Sequence, residues 1–232
     1  GHSVVESVAV IAGTDGAGQT HDSTNRDEVW LQIKRTIDGA TTRYVEFLER
    51  DYDDSQDAED AVYSDSCITY DGTSATTITG LDHLEGETVK IWGDSAIQAD
   101  KTVSSGSITL DTAAKVVQIG LGYTHKLKTL KIEGGNKAGT SVGKTKRING
   151  VTFVMLNSHT IEYGPSSSDL TKNDFREVSD VMDSATPIFT GELFVEFDGN
   201  WGSDPRIFIE SDDAAPFTLL AIAPEVKINA LK

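Results

Sequence analysis

Only one cysteine, Cys67, occurs in the 232 residues, so no internal disulfide can staple the fold and no oxidising compartment is needed to make it. Long apolar runs are missing as well. Nothing approaches the ~18 residues of a membrane-spanning helix, and no charged, apolar, small-residue order marks a signal peptide. The expectation is a soluble chain made in a reducing cytosol, with no membrane insertion. Basic residues are scarce: 20 Lys and Arg stand against 37 Asp and Glu, a net charge of -17. That is the wrong sign for a surface that grips phosphate backbones. Helical periodicity is lacking too, for apolar residues nowhere hold the three-then-four spacing over ten or more positions.

What is present is alternation with a period of two, which predicts an all-β chain of antiparallel hairpins and meanders. Val29, Leu31 and Ile33 share one face of a strand, Asp38-Gly39 supplies the two positive-φ residues of a tight hairpin, and the segment 43–48 returns. The segment 4–11 reads as a short buried strand upstream, separated from the hairpin by the polar stretch Thr14 to Asn25. From Cys67 onward, short strands at 76–79, 88–92, 108–110, 116–121 and 127–132 are punctuated by Gly, Asp and Ser. Strands so short and closely spaced bury little unless their sheet curls, which predicts a small β-barrel-like module. After a Gly-rich loop at 134–143, strands are expected at 151–156 and 160–163, then a polar stretch 166–183 holding one short helical turn. Leu193, Val195 and Phe197 alternate inward, and segments 206–210 and 217–222 complete a meander that Trp201 is expected to cap.

Three regions follow: 4–60, strands and a hairpin ending a larger upstream β domain; 66–132, the barrel-like module; and 133–232, an antiparallel β region packing with the N-terminal strands. The start Gly1-His2-Ser3, without Met, reads as the remnant of a cleaved tag on a fragment of a longer protein, so His2 receives no role.

Reactive motifs are weak. Ala138 to Thr145 and Gly13 to Thr20 imitate a phosphate-binding loop, but the first has Ala for the leading Gly and the second Gln19 for Lys. Such a loop must leave a strand and open a helix whose N-terminal N–H groups hold the phosphates, and residues 146–153 read as a strand. Asp51, Asp53, Ser55, Asp57 and Glu59 have the alternate oxygens of a calcium loop, yet Gln56 stands where its Gly belongs and Val62 where its closing Glu belongs. A solvated linker is the simpler reading. His21, His83, His125 and His159 are scattered singly, and Cys67 has no basic neighbour to activate it. No cofactor or catalytic residue is assigned. The single basic concentration, Lys137, Lys144, Lys146 and Arg147, is a candidate contact to an acidic neighbouring subunit or to passing DNA, against the plainer reading of a loop paired with its own acidic neighbours.

The most specific stretch is Gly80-Leu81-Asp82-His83-Leu84-Glu85-Gly86-Glu87-Thr88-Val89. Together with Asp27-Glu28-Val29-Trp30, Arg35 to Ala40, Tyr44-Val45-Glu46, Thr69 to Gly72, Lys101 to Val103, Ile119 to Tyr123 and Gly143 to Ile148, it resembles, in order and spacing, tail proteins of phages and prophages. The likeness spans about Val4 to Ile228 and is to the C-terminal portion of short-tail tube or nozzle proteins. Their central module resembles the first catalytic-cysteine half-domain of ubiquitin-activating enzyme in shape alone, and no catalytic role passes to Cys67.

The resemblance implies a non-catalytic virion component, made in the bacterial host cytoplasm and placed in the tail. It implies a ring of copies, expected to be hexameric, in contact with neighbouring tail proteins around a DNA conduit whose acidic walls leave the genome free to slide. Two other readings are a host-surface glycan-binding module, with Trp30, Trp92 or Trp201 stacking on sugar, and a tail-associated hydrolase built on two convergent carboxylates.

Overall fold

The structure, a computed structural model, describes residues 3–11, 27–53, 55–133, 135–136, 139–182 and 184–229. The segment Thr14 to Asn25 and the loop Gly13 to Thr20 lie outside them, as do His2, His21, Lys137 and Ala138. The chain is all β and every strand pairing is antiparallel.

Strands β1 (Val4–Ile11), β2 (Glu28–Ile37) and β3 (Ala40–Phe47) form a first sheet in that order. Asp38 and Gly39 turn β2 into β3 with φ of 46° and 72°, the left-handed pair that the Asp-Gly signal requires. The strand 4–11 has the expected bounds, but every residue of it is exposed where a buried strand was expected. The reason is layering. Only the end of the sheet carrying Ile33, Arg35, Ile37 and Tyr44 lies on the central module, and β1 runs past that support.

Strands β4 (Asp65–Thr79), β5 (Thr88–Gly93), β6 (Ala96–Thr102) and β7 (Ser107–Leu121) make the central sheet in the order β4-β7-β5-β6. Two segments expected as separate strands, 108–110 and 116–121, are one continuous β7, which irregular pairing with β4 bends around the core. Ile78, Leu84, Val89, Ile108, Val117 and Ile119 fill that core. The sheet is open rather than a closed barrel, because β4 and β6 stay at its edges unjoined. A short 3₁₀ turn at Asp82–Leu84, not a ladder, covers the remaining side.

The C-terminal region holds β8 (His125–Lys128), the two-residue pair β9 (Gly135–Asn136) and β10 (Gly139–Thr140), β11 (Lys146–Ser158), β12 (Ile161–Ser166), β13 (Asp169–Asn173), β14 (Phe189–Glu196), β15 (Phe208–Ser211) and β16 (Thr218–Ile228). It is not a simple meander. One sheet runs β14-β11-β16 and another β13-β12-β15-β8, and the two share a single core of Ile148, Phe153, Met155, Tyr163, Val195 and Ile207. Ile148 and Val151 both point inward because the register slips at Asn149-Gly150, a bulge that restores the face of β11. The strand at 125–128 pairs with β15 rather than with the central sheet. Where a polar stretch with a helical turn was expected, β13 forms a hairpin with β12.

That hairpin depends on Gly164, whose missing Cβ would overlap the Asp169 backbone oxygen. Asp169 opens the edge strand β13, and a backbone atom fixed by its ladder to β12 cannot step aside as a side chain could. Gly164→Ala is expected to lower stability by about 1–3 kcal/mol, the range of forced overpacking, read as a lower urea midpoint at unchanged slope.

Candidate functional site

The Gly80 to Val89 motif is spent on folding. Leu81, Leu84 and Val89 are fully buried, and Gly80 and Gly86 take φ of 89° and 77°. The Glu85 carboxylate accepts the backbone N–H groups of Ser105 and Gly106, both at 2.8 Å, and these bonds hold its pKa below the ordinary value. Glu87 accepts the N–H of Asp38, and the His83 backbone oxygen accepts from the Tyr44 hydroxyl, so the motif also docks the first sheet. The His83, Glu85, Glu87 and Thr88 side chains of the motif each have a structural partner.

The reactive candidates disperse. Burial pushes the half-buried Cys67 thiol upward, away from a reactive thiolate. Residues 146–158 continue as a strand after the loop that imitates a phosphate-binding motif, as expected. The Asp53 carboxylate accepts from the N–H and hydroxyl of Ser55 within a local turn. The segment around it is not a free solvated linker. It docks on the central sheet, burying Ala61 and presenting the Ala58 carbonyl, 2.8 Å away, to the indole N–H of Trp92. Among the described residues no group of three or more His, Cys, Asp or Glu is placed to hold a metal ion.

The basic group divides. Lys137 lies outside the described residues, Lys144 and Arg147 are half-buried, and Lys146 has no exposed surface at all. Lys146 Nζ lies 2.8 Å from Glu133 Oε1, a close ion pair that falls outside hydrogen-bond geometry. Glu133 also takes Lys131 at 2.7 Å and the Ser141 hydroxyl at 2.9 Å, and these cations and donors depress its pKa to about 2. Lys146 is therefore no surface contact: its alternation on β11 turns it inward, a placement that counting charges along the loop did not reveal.

The three tryptophans differ. Trp92 is fully buried, its ring edge-on to His159 at 5.0 Å between centroids. Trp30 is half-buried, donating to Glu28 and tilted 5.3 Å from Phe47. Trp201, expected to cap the C-terminal core, is instead 51% exposed and lines a groove of about 330 Å³ with Phe208, Lys128, Arg206, Asp204 and Asn200. The groove stands over the C-terminal core at Ile148 and Phe197.

A larger apolar surface lies on the first sheet. Val8 and Val10 on one face, Ile11, Val45 and Phe47 on the other, and Leu48 beyond are all exposed. β1 is also an edge strand, with no proline or lysine along it to discourage pairing.

His159 sits at the joint between the central and C-terminal regions, 5% exposed, and neither ring nitrogen has a hydrogen-bond partner among the described residues. Burial lowers its pKa from 6.5; Asp213 and Asp174 oppose the shift, whereas Lys172 and Arg176 add to it. With the folded value below the unfolded one, the unfolded chain takes up the proton first. Stability is then full above about pH 6.5 and falls as the pH drops from there toward the folded value. Unfolding in urea at stepped pH is expected to show that decline, and His159→Phe is expected to flatten it; an equal slope in both proteins would refute the assignment.

A scan against protein-family models matches no family, and a search of curated proteins finds no significant match.

Proposed function

We propose that the chain is a non-catalytic structural component of a phage or prophage tail, a tube or nozzle subunit that assembles with copies of itself and neighbouring tail proteins around a DNA conduit. The observation that carries this reading is the first sheet, whose distal end is apolar on both faces and whose edge strand has no partner along its outer side among the described residues. A sheet of that kind is stable in water only where something covers it, and a strand or sheet from the next subunit in a ring does so. The net charge of -17 supports the conduit, since an acidic wall repels the genome it passes. Placement is tested by electron microscopy of intact particles carrying a label on this segment. Label along the tail supports the reading; label on the capsid shell, or none in the virion, ends it.

A second reading, contact with a host-surface glycan, is favoured by one observation, the half-exposed Trp201 at the mouth of a groove.

A further inference from the structure

We propose that the groove formed by Trp201, Phe208, Lys128, Arg206, Asp204 and Asn200 binds a short carboxylated saccharide, a uronic acid or a similar acidic sugar. The proposal deepens the glycan reading and stands whether or not the chain belongs to a tail.

The volume of about 330 Å³ lies at the small end of ligand sites and suits one or two sugar rings rather than a long polymer. Its walls combine the two surfaces that a sugar requires. Trp201 offers a broad, electron-rich face on which the axial C–H groups of a pyranose can lie. Beside it, Arg206 donates through Nε and Nη2 to Asp204 at 3.0 and 2.9 Å, and both bonds end on the same oxygen, Oδ2. Asp204 Oδ1 takes no part in that pair and can accept from a sugar hydroxyl, while the Arg206 bonds fix the carboxylate in place.

The preference for an acid comes from Lys128. Its ammonium stands 4.9 Å from the centre of the Phe208 ring, and among the described residues no carboxylate lies within ion-pair distance of it. Asp204 feels this cation only through space, and a lysine without a direct ion-pair partner, in a protein of net charge -17, marks a place in this groove where an anion is welcome. A single carboxylate satisfies it. Single-stranded nucleic acid, the other ligand that combines stacking with charge, needs a positive track along several phosphates, and one free lysine in an acidic chain does not supply it.

The site is also held in advance of binding. Gly202 exchanges two backbone hydrogen bonds with Lys146, at 2.7 and 2.9 Å, which ties the Trp201 loop to the start of β11. On the far side Ile207 and Thr129 are joined by two more, the Thr129 N–H to the Ile207 oxygen and the Ile207 N–H to the Thr129 hydroxyl, both at 3.0 Å. A loop anchored at both ends loses little freedom when a ligand arrives.

The test is titration of the full chain with trigalacturonate, its methyl ester, neutral maltotriose and an eight-nucleotide oligothymidylate, followed by tryptophan fluorescence and calorimetry. Saturable binding of trigalacturonate is expected, about tenfold weaker for the ester because the charge-assisted bond is lost. Trp201→Ala is expected to weaken binding about tenfold or more by removing the stacking face. Lys128→Gln is expected to weaken the acid and leave the ester unchanged. That readout does not depend on Trp201, and both variants are checked for an unchanged unfolding midpoint. Absence of saturable binding to any saccharide, equal binding by Trp201→Ala, or tighter binding of the oligonucleotide than of trigalacturonate would each overturn the proposal.

Discussion

Trp92→Ala is expected to lower the stability of the folded chain by about 3–5 kcal/mol, the cost of emptying a fully buried aromatic site. Three segments meet at this ring. It lies on β5 and is fully buried, it donates its indole N–H to the Ala58 carbonyl at 2.8 Å, and it stands edge-on to His159 between β11 and β12. Removal leaves a void, an unpaired buried carbonyl and a histidine ring without its neighbour. The loss is also expected to be visible in cooperativity. The central and C-terminal regions fill separate cores, and a surface ion pair such as Lys90 with Asp212 at 3.0 Å holds little on its own. Denaturant unfolding of Trp92→Ala is expected to separate into two transitions, one for each core. Trp92→Phe keeps most of the apolar contact and loses the hydrogen bond, so it is expected to cost about 1–2 kcal/mol and remain a single transition. A loss below about 1 kcal/mol for the alanine variant would show that the two regions are joined elsewhere.

How far the sequence foretells this arrangement depends on whether a feature is local. The Asp38-Gly39 hairpin, the bounds of β1 and the inward face of Leu193, Val195 and Phe197 were legible, because turn chemistry and period-two alternation act within a few residues. Strand β6 and strand β13 were not, since Ala96 to Thr102 and Asp169 to Asn173 are polar segments that become strands only when a neighbour offers a ladder. The burial of a strand is likewise a property of what lies over it. Val4 to Ile11 reads as core by composition and is exposed because the supporting module ends beneath Ile33 and Ile37. The groove escaped the sequence for a similar reason: Lys128 and Arg206 are far apart along the chain and meet only because β8 pairs with β15, across which Lys128 faces Phe208. Trp201 beside a turn gives no sign of which way its ring faces.

The largest contrast between two changes at one contact is expected at Lys146 and Glu133. Lys146 is fully buried and carries both a long apolar stem and an ammonium 2.8 Å from Glu133. Lys146→Ala removes the stem and opens a cavity, with an expected loss of about 2–5 kcal/mol. Lys146→Met fills the same volume and removes a charge that was expensive to bury, so its effect is expected to stay within about 1.5 kcal/mol in either direction. Glu133 tolerates that change, for Lys131 and Ser141 still hold its carboxylate. The reverse substitution is not symmetric. Glu133→Gln strands the Lys146 ammonium in the interior without an anion, and it is expected to destabilise the chain far more than Lys146→Met does. The pH dependence follows the same logic. Because the folded pKa of Glu133 is depressed to about 2 from 4.5, its contribution is whole above about pH 4.5 and is lost as the pH falls through about 2. Glu133→Gln is expected to remove that acid limb and leave intact the His159 limb, which begins below about pH 6.5. Thermal unfolding of the three variants across that range decides the matter. If Lys146→Met proves as damaging as Lys146→Ala, then the ammonium and not the packed stem is what the fold requires there.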